Sequence, residues 1–252
     1  VYALGRIAAR FPTLSLEKEL AQAIGRSDSA GLTDRQAIHG ALAKPQNRYL
    51  ARQICWILTI EGLDTYILLP RDPADFSLLT EAVRAAPSPI DIDTVIGVRG
   101  PIAPPTICGG LQVPVVAFDQ IYSFDRDTLL KAIPRPEKIS AKEFASAAAE
   151  LLDRILQIAD NAGATDEHRA LNYCAVRYPG FYATAADAFG RNFSLTAIET
   201  RPSRLSGVRR IVDVVSSYRN RQTDVVEKYF CRVDVTEEFP FLVTKMAPFF
   251  DR

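Results

Sequence analysis

Two histidines and four cysteines are few for a 252-residue chain, and they bound the chemistry that its nucleophiles and soft ligands can do. His39 stands on a segment with Arg35, Gln36 and Gly40, whose apolar residues are Ile38 and Leu42, so it is expected to face solvent. His168 follows Asp166 and Glu167 at the start of a helical pattern. It reads either as a ligand or general base, or as a polar helix-start residue. Cys108 lies in Gly97–Gly110, GVRGPIAPPTICGG, a stretch rich in glycine and proline between two strand-like runs. Cys55 and Cys231 fall within apolar strand patterns and read as small hydrophobes. No G-x-S-x-G, C-x-x-C, H-x-x-x-H or H-E-x-x-H spacing occurs. His168 and Cys174 are six residues apart, about 120° from a common helix face, and cannot grip one ion together. A metal site would therefore need convergence in three dimensions, for example of Cys108 and His168 with a carboxylate, and zinc is the ion it would take. The Gly97–Gly100 pair lacks the third glycine and the following helix of a dinucleotide site, and no phosphate-binding G-x-x-x-x-G-K is present.

A third candidate is basic. Arg201, Arg204, Arg209 and Arg210 fall within ten residues, and Arg219 and Arg221 flank the next turn. Guanidinium forks suit carboxylates, including those of acidic peptide segments. The other reading is a solvated hairpin whose charges discourage strand-to-strand aggregation. Lysine plus arginine and aspartate plus glutamate are both 30, so no overall basic excess points to nucleic acid. No apolar run is long enough to cross a bilayer, and the N-terminus has neither Met nor a signal-peptide core, so the chain is expected to be either processed or cut from a longer protein. The sparse cysteines fit a reducing compartment better than a disulfide framework.

The elements that must position these residues follow from caps and periodicity. Ser15 is an expected N-cap for a helix over 16–24, and Thr33 with Gln36 forms a capping box for 33–42. Runs over 54–60 and 65–69 flank Glu61–Asp64 and read as a buried hairpin. Asp72 and Pro73 open a helix, and strands follow at 93–99 and 114–123, joined by the Gly97–Gly110 stretch. A short helix is expected at 127–132, then a proline-spaced linker over 133–139. Ser140 and Glu143 cap a long helix over 141–159, Thr165 caps 166–176, and a further helix covers 180–189. Strands then read at 193–200, 208–218 and 224–235, the last two joined at Asn220–Thr223, with Val225, Tyr229, Cys231, Val233 and Val235 on one face. The expected fold is α+β, mainly antiparallel, with a segregated helical middle. It is one domain over 1–252, with subdomains 1–133 and 140–252 as its natural division.

Several runs resemble a known family. RYLARQICWILTIEGLDTYILLPRDPAD (Arg48 to Asp75), VIGVRGPIAPP (Val95 to Pro105) and FDQIYSFD (Phe118 to Asp125) are distinctive, as are RPSRLSGVRRIVD (Arg201 to Asp213), YRNRQTDVVEKYF (Tyr218 to Phe230) and VDVTEEFPFLVTK (Val233 to Lys245). Together they resemble the C-terminal domain of PatG-type cyanobactin maturation proteases, a copy of which also ends PatA-type proteins. The resemblance implies a cytoplasmic setting in which a ribosomal precursor peptide becomes a cyclic product, with the subtilisin-like protease domain upstream. It carries over no catalytic residues. The poor catalytic inventory, the arginine-rich hairpin and a position after an enzyme together lead to the expectation of a non-catalytic accessory domain that binds precursor peptide, pathway partners or a second copy of itself, with neither nucleic acid nor membrane as partner. The alternatives are a peptide-modifying isomerase or hydrolase built around His168 or Cys108, and a metal-stabilised structural domain.

Overall fold

Caps and turn residues set most element boundaries. A computed structural model describes residues 1–25, 31–83, 91–133, 135, 140–158 and 160–250. The linker expected over 133–139 lies mostly outside the described residues. The chain divides into two compact units, Ala3–Asp125 with Val1, and Arg126–Arg252 with Tyr2. Each unit has its own sheet.

In the first unit β1 (Tyr2–Arg10) leads into three helices, α1 (Leu14–Ile24), α2 (Asp34–Leu42) and α3 (Arg48–Gln53). Thr13, two residues before the expected Ser15, caps α1, because its hydroxyl is the one that reaches the Leu16 amide. Gly25, at φ 73°, ends that helix. The capping box of α2 forms as read, Thr33 accepting from the Gln36 amide while the Gln36 side chain accepts from that of Thr33. β2 (Cys55–Ile60) and β3 (Leu63–Pro70) make the expected hairpin, and Glu61 and Gly62 take the left-handed conformation that its tight turn requires. After α4 (Phe76–Ala82) come β4 (Asp91–Ile102) and β5 (Pro114–Asp125). The strands close into a barrel in the order β1-β2-β3-β5-β4. β3 and β5 pair in parallel and β1–β2, β2–β3 and β4–β5 antiparallel, the arrangement of an OB-type barrel. Trp56, Leu58, Leu68, Val116 and Phe118 are almost completely buried.

In the second unit α5 (Arg126–Ala132) precedes α6 (Ala141–Leu156), α7 (Asp166–Arg177) and α8 (Pro179–Gly190). The Ser140–Glu143 capping box opens α6, and Phe144, Ala147, Ala148, Leu151, Leu152 and Ile155 recur at helical spacing to form its buried stripe. The helices pack on a four-stranded antiparallel meander, β6 (Phe193–Pro202), β7 (Ile211–Asn220), β8 (Val226–Asp234) and β9 (Phe241–Pro248). Val212, Val214 and Tyr218 of β7, with Cys231 and Val233 of β8, share one face, and the Cys174 sulfur of α7 lies 3.6 Å from that of Cys231 on it. Burial pushes the Cys174 thiol well up from its ordinary value. β9 is an edge strand with Phe241, Val243 and Lys245 exposed. The α+β class and the antiparallel bias are as expected, with β3–β5 the one parallel pair among the described strands.

Three elements differ from expectation. β1 and α3 arise where no periodicity announced them, and β9 follows Pro240, beyond the last strand read from pattern. The disulfide joining Cys55 to Cys108 is the largest correction. Cys55 is buried on a strand but does not act as a plain hydrophobe, because folding brings its Cα to 5.3 Å from that of Cys108, within reach of a covalent bond.

β4 also explains Gly97. A Cβ there would lie 2.3 Å from the Ala117 carbonyl oxygen and 2.6 Å from the Phe118 Cα, both backbone atoms of β5 that cannot move aside. At Gly100 on the same strand the nearest atom would be 3.4 Å away, an ordinary contact. Gly97→Ala should therefore destabilise the protein by about 1–3 kcal/mol. Gly100→Ala should stay within about 0.5 kcal/mol of the wild type in urea melts.

Candidate functional site

Six arginines read as one basic group from sequence, but the length of β7 divides them. Nine residues of extended chain separate Arg210 from Arg219, about 30 Å along the strand. At one end Arg219 lies 3.9 Å from Asp224. Beside it Arg221 donates from Nε to the Ser194 hydroxyl at 2.6 Å and stacks over the Phe189 ring at 4.6 Å. At the other end Arg209 and Arg210 act as pins. Arg209 pairs with the buried carboxylate of Asp234 and lies over the Phe241 ring. Arg210 donates to Asp166 at 3.0 Å and to the Thr236 carbonyl at 2.7 Å. These four guanidiniums are already engaged.

Arg201 and Arg204 stand differently. With Arg232, Asp213, Phe249 and Phe250 they line a cleft of about 460 Å³. The register of the meander builds it. Arg201 of β6 sits opposite Asp213 of β7, which sits opposite Arg232 of β8. Arg232 donates from Nε to Asp213 at 3.0 Å and to the Ser203 hydroxyl at 3.2 Å. Arg201 is 4.0 Å from the same carboxylate. Aromatic rings fix both guanidiniums, Arg201 lying 4.5 Å from the Phe249 centroid and Arg232 4.6 Å from that of Phe230. The two rings meet edge to face at 5.7 Å. Arg204, in the loop between β6 and β7, is exposed and makes no ion pair or hydrogen bond with any described residue. Among the described residues that line it, three cations stand against one anion, a formal excess of about +2 rather than a closed ion network.

Arg232 is not among the six arginines singled out from sequence. Hairpin register was the signal that could have found it. The turn lies one residue later than Asn220–Thr223, with the Asn220 amide donating to Val225, and that shift brings Asp213 opposite Arg232.

His168 sits in the first turn of α7, its amide donating to the capping Thr165 hydroxyl at 3.2 Å. Partial burial pulls its imidazole below the ordinary value, against the pull of Glu167 and Asp160. The zinc centre expected of Cys108 and His168 is corrected by the disulfide, since a sulfur bonded to Cys55 offers no thiolate to an ion. Among the described residues no group of three or more His, Cys, Asp or Glu side chains converges to hold a metal. Nor is any described helix long and apolar enough to cross a membrane.

A family model described as PatG C-terminal matches residues 138–249, which include the helices α6–α8 and the whole arginine-bearing meander. The match covers a little under half of the chain. The structural likeness extends further. A solved structure described as "PatG Domain of Unknown Function" superposes with a TM-score of 0.79 at 21% identity, over 99% of this chain and 98% of that one. At that identity the likeness shows the PatG-domain fold, including the barrel outside the family match. No curated protein sequence matches the chain.

Asp234 gives the site a pH signature. Burial pushes its carboxyl up, but hydrogen bonds from Thr236 and Arg209 outweigh that and hold it below its ordinary 3.8. A depressed carboxyl contributes stability above its unfolded value and loses it as the pH falls through the lower folded value. Asp234→Asn should therefore flatten the fall in stability seen in urea melts as the pH drops below the ordinary carboxylate value of 3.8. Parallel curves for variant and wild type would remove Asp234 from that account.

Proposed function

We propose that the chain is an accessory domain of cyanobactin maturation that binds an acidic segment of the precursor peptide or of a pathway protein, in the bacterial cytoplasm, through the arginine cleft of its PatG C-terminal unit. The observation that carries this reading is the triad Arg201, Arg204 and Arg232 arranged around a single carboxylate, with Arg204 making no pair or hydrogen bond among the described residues. Asp213 holds Arg232 in place and leaves the cleft an excess of donors. Phe249 and Phe250 add apolar walls that suit a peptide better than a small inorganic anion. Its described lining residues include arginines, an aspartate and phenylalanines, which suit holding a charged, partly apolar segment. A second copy of the chain, presenting its own acidic segment, is a further partner of the same chemistry.

Calorimetric titration with acidic precursor segments, and with the same peptides carrying Asn and Gln in place of Asp and Glu, tests the reading. Acidic peptides should bind, and binding should weaken as salt is raised. Arg204→Ala should weaken it about tenfold, the loss of one charge-assisted contact worth ~1.4 kcal/mol. Arg219→Ala, at the far end of β7, should leave it unchanged. Equal losses from both variants, or no discrimination between acidic and amide peptides, would overturn the proposal.

A further inference from the structure

The first unit carries a second device, independent of the arginine cleft. Side chains on β2, β3 and β5 divide into two sets. Trp56, Leu58, Leu68, Val116 and Phe118 form one, and Cys55, Ile57, Ile67 and Val115 form the other. The second set points away from the barrel interior, yet Ile57 and Ile67 are as buried as the core. The segment 103–113 between β4 and β5 covers them, with Ala103, Cys108, Leu111 and Val113 packed against that face.

What fastens this segment is notable. Ala103 and Val113 pair at its base, the amide of the first donating to the carbonyl of the second at 2.9 Å. Between them the backbone bonds run within the segment itself, Ile107 to Pro104, Gly110 to Ile107 and Leu111 to Cys108. Apolar contact and the Cys55–Cys108 bond are left to hold it down. Its backbone is also wound against the usual preference. Cys108, Gly109 and Gly110 have φ of 49°, 66° and 89°, and the first is a residue for which that region is unfavourable. Cys108 is half-buried and Cys55 buried, so Cys108 is the more accessible half of the bond.

We propose that Cys55–Cys108 is a redox latch: oxidised, it holds the 103–113 strap over the apolar outer face of β2, β3 and β5, and a dithiol reductant opens it. A reductant thiolate attacks the Cys108 sulfur, the S–S bond breaks, and the Cys55 sulfur leaves as a thiolate and is protonated. The second reductant thiol then displaces Cys108 from the mixed disulfide. The reductant becomes a disulfide, and two electrons and two protons end on Cys55 and Cys108. Freed of its tether, the segment can relax its left-handed turn and uncover Ile57, Ile67 and Val115. In OB-type barrels the face of strands 2 and 3 with the loop between strands 4 and 5 is a favoured ligand surface, so the latch would switch access to it.

Air-oxidised full-length chain, treated with dithiothreitol or a thioredoxin-class dithiol under native conditions, provides the test. Alkylation read by mass should label Cys55 and Cys108 while the buried Cys174 and Cys231 stay protected. Amide exchange in 103–113 should quicken about tenfold or more, with the barrel interior still protected, and reoxidation should reverse it. An apolar dye should gain fluorescence on reduction. Cys108→Ser should mimic the reduced state; if that variant does not fold, the reversible change in the wild type decides. Failure to form the bond in air, loss of the bond only on global unfolding, or reduction with unchanged exchange in 103–113 would each overturn the latch.

Discussion

A carboxylate taken out of water must find donors, and that constraint organises the open face of the terminal sheet. Asp213 lies on β7, the strand whose residues from Ile211 to Tyr218 are all buried. Leaving such a group unpaired costs several kcal/mol, so the strands on either side each supply a guanidinium. Arg232 satisfies it directly and Arg201 approaches it. The positions of both arginines, of the rings beneath them and of the cleft they line follow from that one buried charge.

Helix starts were legible because they are written locally. The boxes Thr33–Gln36 and Ser140–Glu143, and the caps Thr165 and Asp72, each depend on residues within one turn of one another. The hairpin of β2 and β3 was legible for the same reason. β1 was not. Its sequence YALGRIAAR shows no alternation, and barrel closure decides its conformation. α3 is short and has no side-chain cap to announce it.

The site was half legible. Clustered arginines mark a basic region, but sequence proximity does not say which of them a ten-residue strand will carry apart. The register that selects Arg201 and Arg232 and rejects Arg219 is a property of pairing between strands. The disulfide was illegible for a related reason. Cys55 and Cys108 are 53 residues apart, and only the parallel neighbourhood of β3 and β5, which carries the strap back across β2, brings them together. Cys108 looked like the free thiol of a constrained loop; the constraint is in part the bond itself.

The outermost strand has a consequence for how the molecule behaves in a crowd. β9 forms an edge of the sheet and carries Phe241 and Val243 exposed, a combination that invites another chain to extend the sheet, although the Met246 amide is already taken by the Tyr178 hydroxyl at 2.8 Å. Lys245 stands outward between them and the strand's end, and Pro248, which has no amide hydrogen to offer, closes it. On the opposite edge β6 ends at Pro202, after Glu199 and Arg201. Both margins are thus guarded by charge and proline, which works against the sheet growing into open-ended stacks.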